Sequence, residues 1–121
     1  MPTAPLICIV DDDRALRASV AALMHAGGFR TAEFATADAF LASAEKLSCH
    51  CVLADIQMPG MTGIELKRAM NAEGLATPVI IITALVDRDW SVRAAETGAS
   101  FLQKPFEADT LFGLVTRNLP T

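Results

Sequence analysis

The chain has 121 residues, 52% of them hydrophobic and 20% charged, with a formal net charge of −4. That is material for one domain with a covered core, too apolar for a disordered chain and too acidic to offer nucleic acid a phosphate-binding face. No apolar run approaches the roughly 18 residues that a membrane span needs, and Met1–Pro5 lacks the basic residues of a secretory leader.

Leu6–Val10 is a short continuous apolar run stopped by three aspartates, which reads as a buried parallel strand. Arg14–Ala26 carries Leu16, Val20, Leu23 and Met24 at helical spacing, and Gly27-Gly28 ends it. Thr31–Phe34 is a weaker second strand. Thr36 is placed to cap a helix running through Leu47, with Phe40 and Leu41 inward. Cys51–Asp55 is a third strand, again ending on an acid.

Thr62-Gly63-Ile64-Glu65 has the spacing of a capping box, so a helix is expected from there to about Ala72, with Gly74 just past it. Pro78–Thr83 is a β-branched run and the clearest buried strand. Asp87–Thr97 reads as a helix closed by Gly98, and Ser100–Gln103 as a short fifth strand. Pro105 breaks the chain, and Glu107 and Asp109 suit the start of a last helix carrying Leu111, Leu114 and Val115. Strands alternating with helices of this length predict an α/β fold, a doubly wound (βα)₅ unit with a parallel five-stranded sheet. Right-handed crossovers leave 2-1-3-4-5 as the common strand order at this size.

Three cysteines, Cys8, Cys49 and Cys51, are an odd number without framework spacing, which points to reduced thiols and a cytoplasmic setting. Cys49-His50-Cys51 invites a metal reading, but no second ligand pair completes a zinc site. Cys51 in a buried strand is better read as a small hydrophobe.

Ligands of a doubly wound sheet bind outside the carboxyl ends of its strands. Those ends supply Asp11, Asp12 and Asp13, then Asp55, then Thr83, with Lys104 just beyond the fifth strand. Singly, each has an ordinary explanation. Asp13 can cap the following helix, Thr83 is a normal β-branched strand residue, and Lys104 is a normal solvated lysine. As a set they favour a different reading. Crowded carboxylates repel, and a hard divalent cation such as Mg²⁺ relieves the conflict while leaving room for phosphate oxygens. A carboxylate nucleophile, a cation site, a lysine and a hydroxyl are the parts of phosphoryl transfer to an aspartate.

Four segments carry a family likeness: Ile9-Val10-Asp11-Asp12-Asp13, Asp55-Ile56-Gln57-Met58-Pro59-Gly60-Met61-Thr62-Gly63, Ile82-Thr83-Ala84 and Lys104-Pro105-Phe106. On these the chain, from Ile7 to about Arg117, resembles receiver domains of two-component response regulators, which have the flavodoxin-like (CheY-like) fold. The run Phe101-Leu102-Gln103-Lys104-Pro105-Phe106-Glu107 is most similar to the FixJ branch, whose members usually carry a helix-turn-helix DNA-binding output domain.

The resemblance implies Asp55 as phosphoacceptor. It implies Mg²⁺ (or Mn²⁺) at Asp11, Asp12, Asp55 and the backbone carbonyl of Gln57. Lys104 and Thr83 would contact the phosphoryl group, Thr83 and Phe101 would form the switch pair, and Lys104-Pro105 would be a cis peptide. Gln57 and Leu85 would flank the path of a hydrolytic water, the first orienting it and the second shielding the phosphoryl group, two effects of opposite sign. The implied partners are a sensor histidine kinase and, on phosphorylation, a second copy of the chain. DNA would be reached only through an output domain, and no membrane is involved. Such a chain catalyses nothing but its own phosphorylation and dephosphorylation. Asn118-Leu119-Pro120 is where a linker would begin, so an output domain is expected beyond this receiver of residues 1–121; a stand-alone receiver acting on a protein target is the alternative. Trp90 on the fourth helix is expected in the core, with a dimer or partner anchor as the other option.

Two other classes share an acidic parallel sheet edge. An aspartate-nucleophile phosphohydrolase would carry its nucleophile after the first strand and need a cap domain for which 121 residues leave no room. A nucleotide binder would need a glycine-rich phosphate loop, which the chain lacks.

Overall fold

The computed structural model describes residues 4–56, 58, 60–84 and 88–119. Five strands, β1 (Leu6–Val10), β2 (Arg30–Phe34), β3 (Cys51–Asp55), β4 (Val79–Thr83) and β5 (Ser100–Gln103), pair in the order β2-β1-β3-β4-β5. Every pairing is parallel. Between and after them come α1 (Arg14–Ala26), α2 (Ala37–Leu41), α3 (Gly63–Ala72), α4 (Arg88–Glu96) and α5 (Ala108–Asn118). This is the expected doubly wound topology.

The apolar runs of β1, β3 and β4 are buried on both faces because each face has its own helical layer. Cys8, Val10, Val52, Ala54, Val79 and Ile81 pack with Phe40 of α2, Ile64, Leu66 and Met70 of α3 and Ala94 of α4. The alternate residues Ile7, Ile9, Leu53, Ile80 and Ile82 face Val20 and Met24 of α1 and Leu111 and Val115 of α5. The period of two along each strand thus serves two cores at once.

Local chemistry sets most boundaries where they were expected. The Asp13 carboxylate accepts from Leu16 N at 3.1 Å and starts α1, which assigns that acid to capping. Gly28, at φ 88°, turns the chain out of α1 in the left-handed region that glycine tolerates. Thr62 and Glu65 form the reciprocal capping box of α3, at 3.1 and 3.0 Å. Glu65 keeps its carboxyl below the ordinary range through the hydrogen bond from the Thr62 backbone.

The second helix differs from expectation. α2 ends at Leu41, and Ala44–Leu47 form a separate 3₁₀ turn. The cause is Ser43. Its hydroxyl donates to the Phe40 carbonyl at 2.6 Å and its N–H reaches the same oxygen at 3.0 Å. That carbonyl would otherwise accept from Ala44, so the serine closes the helix locally. Smaller differences are a strand β2 that begins one residue earlier, at Arg30, and a strand β4 that begins at Val79, because Pro78 has no N–H to donate. The fourth helix runs Arg88–Glu96; its expected first residue, Asp87, lies outside the described residues, as do Leu85 and Val86.

The cysteines are buried in the sheet layers. Cys49 Sγ is 3.0 Å from the Cys51 carbonyl, and His50 Nδ1 accepts from Leu6 N at 3.0 Å. His50 is therefore engaged in tying the chain ahead of β3 to β1. Burial pushes the Cys51 thiol up to about 12, which suits an inert core thiol. Trp90 is half-buried against the α2–α4 core, with the Arg93 guanidinium 4.9 Å from its ring centre.

Thr62→Ala removes the hydroxyl half of the capping box. Its expected cost is about 1 kcal/mol, read as a lower urea midpoint at unchanged slope. An unchanged midpoint would show that the box adds nothing to stability.

Candidate functional site

The carboxyl edge of the sheet gathers the acids. Asp11 follows β1 and is buried, Asp12 is exposed, and Asp55 ends β3 half-buried; one carboxylate oxygen from each lies within 4.8 Å of the others. Lys104, next after β5, places its ammonium 3.6 Å from Asp55 Oδ2. The Lys104 N–H is held by the Thr83 carbonyl at 2.7 Å, and the Lys104-Pro105 peptide is cis, as expected. Asp11, Asp55 and Lys104 line a cleft together with the apolar side chains of Ile9, Leu16, Val20, Leu53 and Ile82.

Asp11 is fixed at three points. Its N–H donates to the Phe34 carbonyl at 3.0 Å, its Oδ1 accepts from Asp13 N at 2.9 Å, and its carbonyl accepts from Arg17 Nη1 at 2.7 Å. Burial raises its carboxyl above the ordinary range. The Asp13 N–H works against that shift, Asp55 adds to it, Lys104 opposes it, and Asp12 adds again. The fold therefore holds an acid cluster at an electrostatic cost.

Gly63 is required beside it. A Cβ there would stand 2.5 Å from the Asp55 carbonyl oxygen, so the first turn of α3 approaches the end of β3 only without a side chain.

Thr83 is buried and Phe101 half-buried. Phe101 pairs with Ile81 and packs on the α2–α4 face. Because side chains alternate along a strand, Thr83 shares that face with Ile81 and Phe101. Of the residues singled out from the sequence, Asp11, Asp12, Asp55 and Lys104 come together, with Thr83 and Phe101 on the adjoining strands. Asp13 is set apart as a helix cap. Gln57 and Leu85 lie outside the described residues. Sequence reasoning missed Arg17, whose bond to Asp11 spans six residues across a strand-to-helix turn and follows no helical spacing.

Three hard carboxylates with positions to spare fit a divalent cation and oxygen ligands, not a zinc centre. The acids and the lysine lie outside the carboxyl ends of the strands, which is where a doubly wound sheet binds its ligands. The chain belongs to the response regulator receiver domain family, whose model matches residues 7–116. It is 40% identical over 116 residues to the transcriptional regulatory protein FixJ of Bradyrhizobium diazoefficiens, covering 95% of this chain and 57% of that protein. The response regulator protein TmoT of Ectopseudomonas mendocina is 35% identical over 111 residues, 91% of this chain and 50% of that one. The chain thus spans about half the length of these relatives.

Among solved structures, the response regulator StyR superposes with a TM-score of 0.88 at 36% identity, covering 96% of this chain and 59% of that one. The chemotaxis protein CheY4 of Vibrio cholerae gives 0.87 at 27% identity, over 96% and 99%. The chain is a receiver domain of the two-component type, and relatives of it are transcriptional regulators. Among the described residues no helix is long and apolar enough to cross a membrane.

The raised Asp11 carboxyl sets a pH dependence. A group held above its unfolded value stabilises the fold below that unfolded value, and the benefit is lost as pH rises through the folded value. At pH 7 ionised Asp11 is thus a cost to the metal-free protein. Asp11→Asn removes the charge and keeps an acceptor for Asp13 N. In EDTA at pH 7 the variant should melt higher than wild type, the gap closing as pH falls below the carboxylate range. A wild type equally stable at pH 7 would contradict the cost.

Proposed function

We propose that this chain is the phosphoacceptor module of a transcriptional response regulator, in which Asp55 takes a phosphoryl group from the phosphohistidine of a sensor kinase. The observation that carries this reading is the approach of Asp55 to Lys104 Nζ at 3.6 Å, inside a ring of carboxylates 4.8 Å across that fits a divalent cation.

Asp55 is the nucleophile. Its carboxylate oxygen forms a bond to phosphorus as the nitrogen–phosphorus bond of the donor breaks, and the electron pair returns to the imidazole. Lys104 faces the same oxygens and offsets the charge of the incoming group. Asp11 and Asp12, with the carbonyl of Gln57, would hold Mg²⁺ or Mn²⁺ beside Asp55. When bound, such a cation neutralises charge on the transferring oxygens and on the acids themselves. The apolar walls of the cleft limit water behind the reacting carboxylate.

The switch then follows from the adjoining strands. An aspartyl phosphate brings strong acceptor oxygens. Thr83 turns its hydroxyl toward them, and Phe101, on the same face one strand away, moves into the space that opens. Reversing a 1:99 population needs roughly 5.5 kcal/mol of differential interaction. Charge-assisted hydrogen bonds at about 1.5–3 kcal/mol each supply much of it. The surface so altered is that of α4, β5 and α5, which would pair with a second copy or pass the signal to an output domain beyond this chain. Among the described residues, Val92 of α4 is an exposed apolar one, at 51%, whereas Trp90 packs against the α2–α4 core. DNA contact would belong to the output domain, and the whole protein would work in the cytoplasm.

Intact mass after incubation with acetyl phosphate and Mg²⁺ tests the reading. One phosphoryl group should appear on wild type, be lost when EDTA replaces Mg²⁺, and be absent from Asp55→Asn. A wild type that stays unmodified with both acetyl phosphate and a cognate kinase would leave a binding module without phosphoryl chemistry.

A further inference from the structure

Arg17 takes no part in the phosphoryl chemistry above, yet its guanidinium is the structural link between the acid cluster and the edge of the sheet. It sits in the first turn of α1, with its own N–H on the Asp13 carbonyl at 2.9 Å. Its side chain folds back past the helix start. Nη1 donates to the Asp11 carbonyl at 2.7 Å, and Nε meets Glu33 Oε1 on β2 at 3.3 Å. The Arg17 side chain is 15% exposed and Glu33 41%, so the bond to the Asp11 carbonyl is the better sheltered of the two and Glu33 guides the guanidinium from the solvent side. Asp11 N–H is fixed to Phe34 on the same strand as Glu33. The peptide plane that joins Asp11 to Asp12 is thereby held from its carbonyl end by a charge-assisted bond, and β2 sets the position of the donor.

Orientation of that plane sets where Asp12 leaves the chain, and with it the position of the Asp13 N–H that holds the Asp11 carboxylate at 2.9 Å. We infer that Arg17, aligned by Glu33, is a positioning residue for the cation site: it fixes the Asp11-Asp12 peptide so that both carboxylates face Asp55. Arg17 does not touch the cation or the phosphoryl group. Its role resembles that of the outer partners of metal ligands, whose loss costs affinity although they coordinate nothing. The inference rests on the reading of the acid cluster as a cation pocket and gives that pocket its preorganisation.

Charge and position predict opposite signs here. Arg17→Gln deletes a positive charge beside an anionic pocket, so simple electrostatics would tighten Mg²⁺ binding. Loss of the positioning bond would weaken it. The experiment is calorimetric titration of Mg²⁺ into wild type, Arg17→Gln, Arg17→Lys and Glu33→Gln, each shown to be folded by circular dichroism at the working temperature.

Weakening by about 10-fold is expected for Arg17→Gln, at the low end of outer-partner effects. Arg17→Lys should recover part of the loss, since an ammonium can reach the carbonyl but lacks the fork that also engages Glu33. Glu33→Gln should weaken binding by less than Arg17→Gln. Affinity that is unchanged or tighter in folded Arg17→Gln overturns the inference, as does a wild type that binds no Mg²⁺. Should Arg17→Gln fail to fold, Arg17→Lys decides: affinity equal to wild type overturns the positioning role. Because no phosphoryl donor is present, the expected pattern would stand even if Asp55 proved not to be the acceptor.

Discussion

Three carboxylates are held within 4.8 Å of one another at the edge of a parallel sheet, and the surrounding structure is arranged to keep them there. Burial of Asp11, with the charges of Asp55 and Asp12 beside it, raises its carboxyl above the ordinary range. Against that stand the register of β1 with β3, which brings Asp11 and Asp55 to one rim, and the three hydrogen bonds that fix Asp11. Lys104 relieves part of the conflict at 3.6 Å. A site so held gains more from a divalent cation than a relaxed one would, because no reorganisation is spent in assembling it.

The same edge explains why the fold suits a switch. Side chains on alternate positions of β4 and β5 belong to different layers: Ile82 faces α1 and α5, while Ile81 and Phe101 face the α2–α4 side. Thr83 lies at the end of β4 on the Phe101 side, with its carbonyl bound to Lys104 N. Lys104, at the acid cluster, and Thr83 are thus joined through one backbone bond.

Much of this was legible from the sequence because it is local. Fully buried parallel strands read as uninterrupted apolar runs, so Leu6–Val10 and Cys51–Asp55 carry their own boundaries. Thr62 and Glu65 announce α3 by spacing alone. The clustering of the acids was legible because strand ends of a doubly wound sheet meet at one edge. What escaped was decided by competition or by distance. The break in the second helix depends on one serine hydroxyl outbidding an amide for the Phe40 carbonyl. Arg17 depends on a contact from a helix back to a strand end, and the need for Gly63 depends on the close approach of α3 to Asp55. Each requires the packed arrangement before it can be seen.

The measurement that bears most directly on the acid cluster as a cation pocket is a titration of Mg²⁺ followed by backbone amide resonances of the isotopically labelled chain. Saturable shifts should concentrate at Asp11, Asp12, Asp13, Asp55 and Lys104, fading along β2 and β5. Small shifts spread evenly over the surface acids, or shifts centred on Cys49, His50 and Cys51, would contradict it.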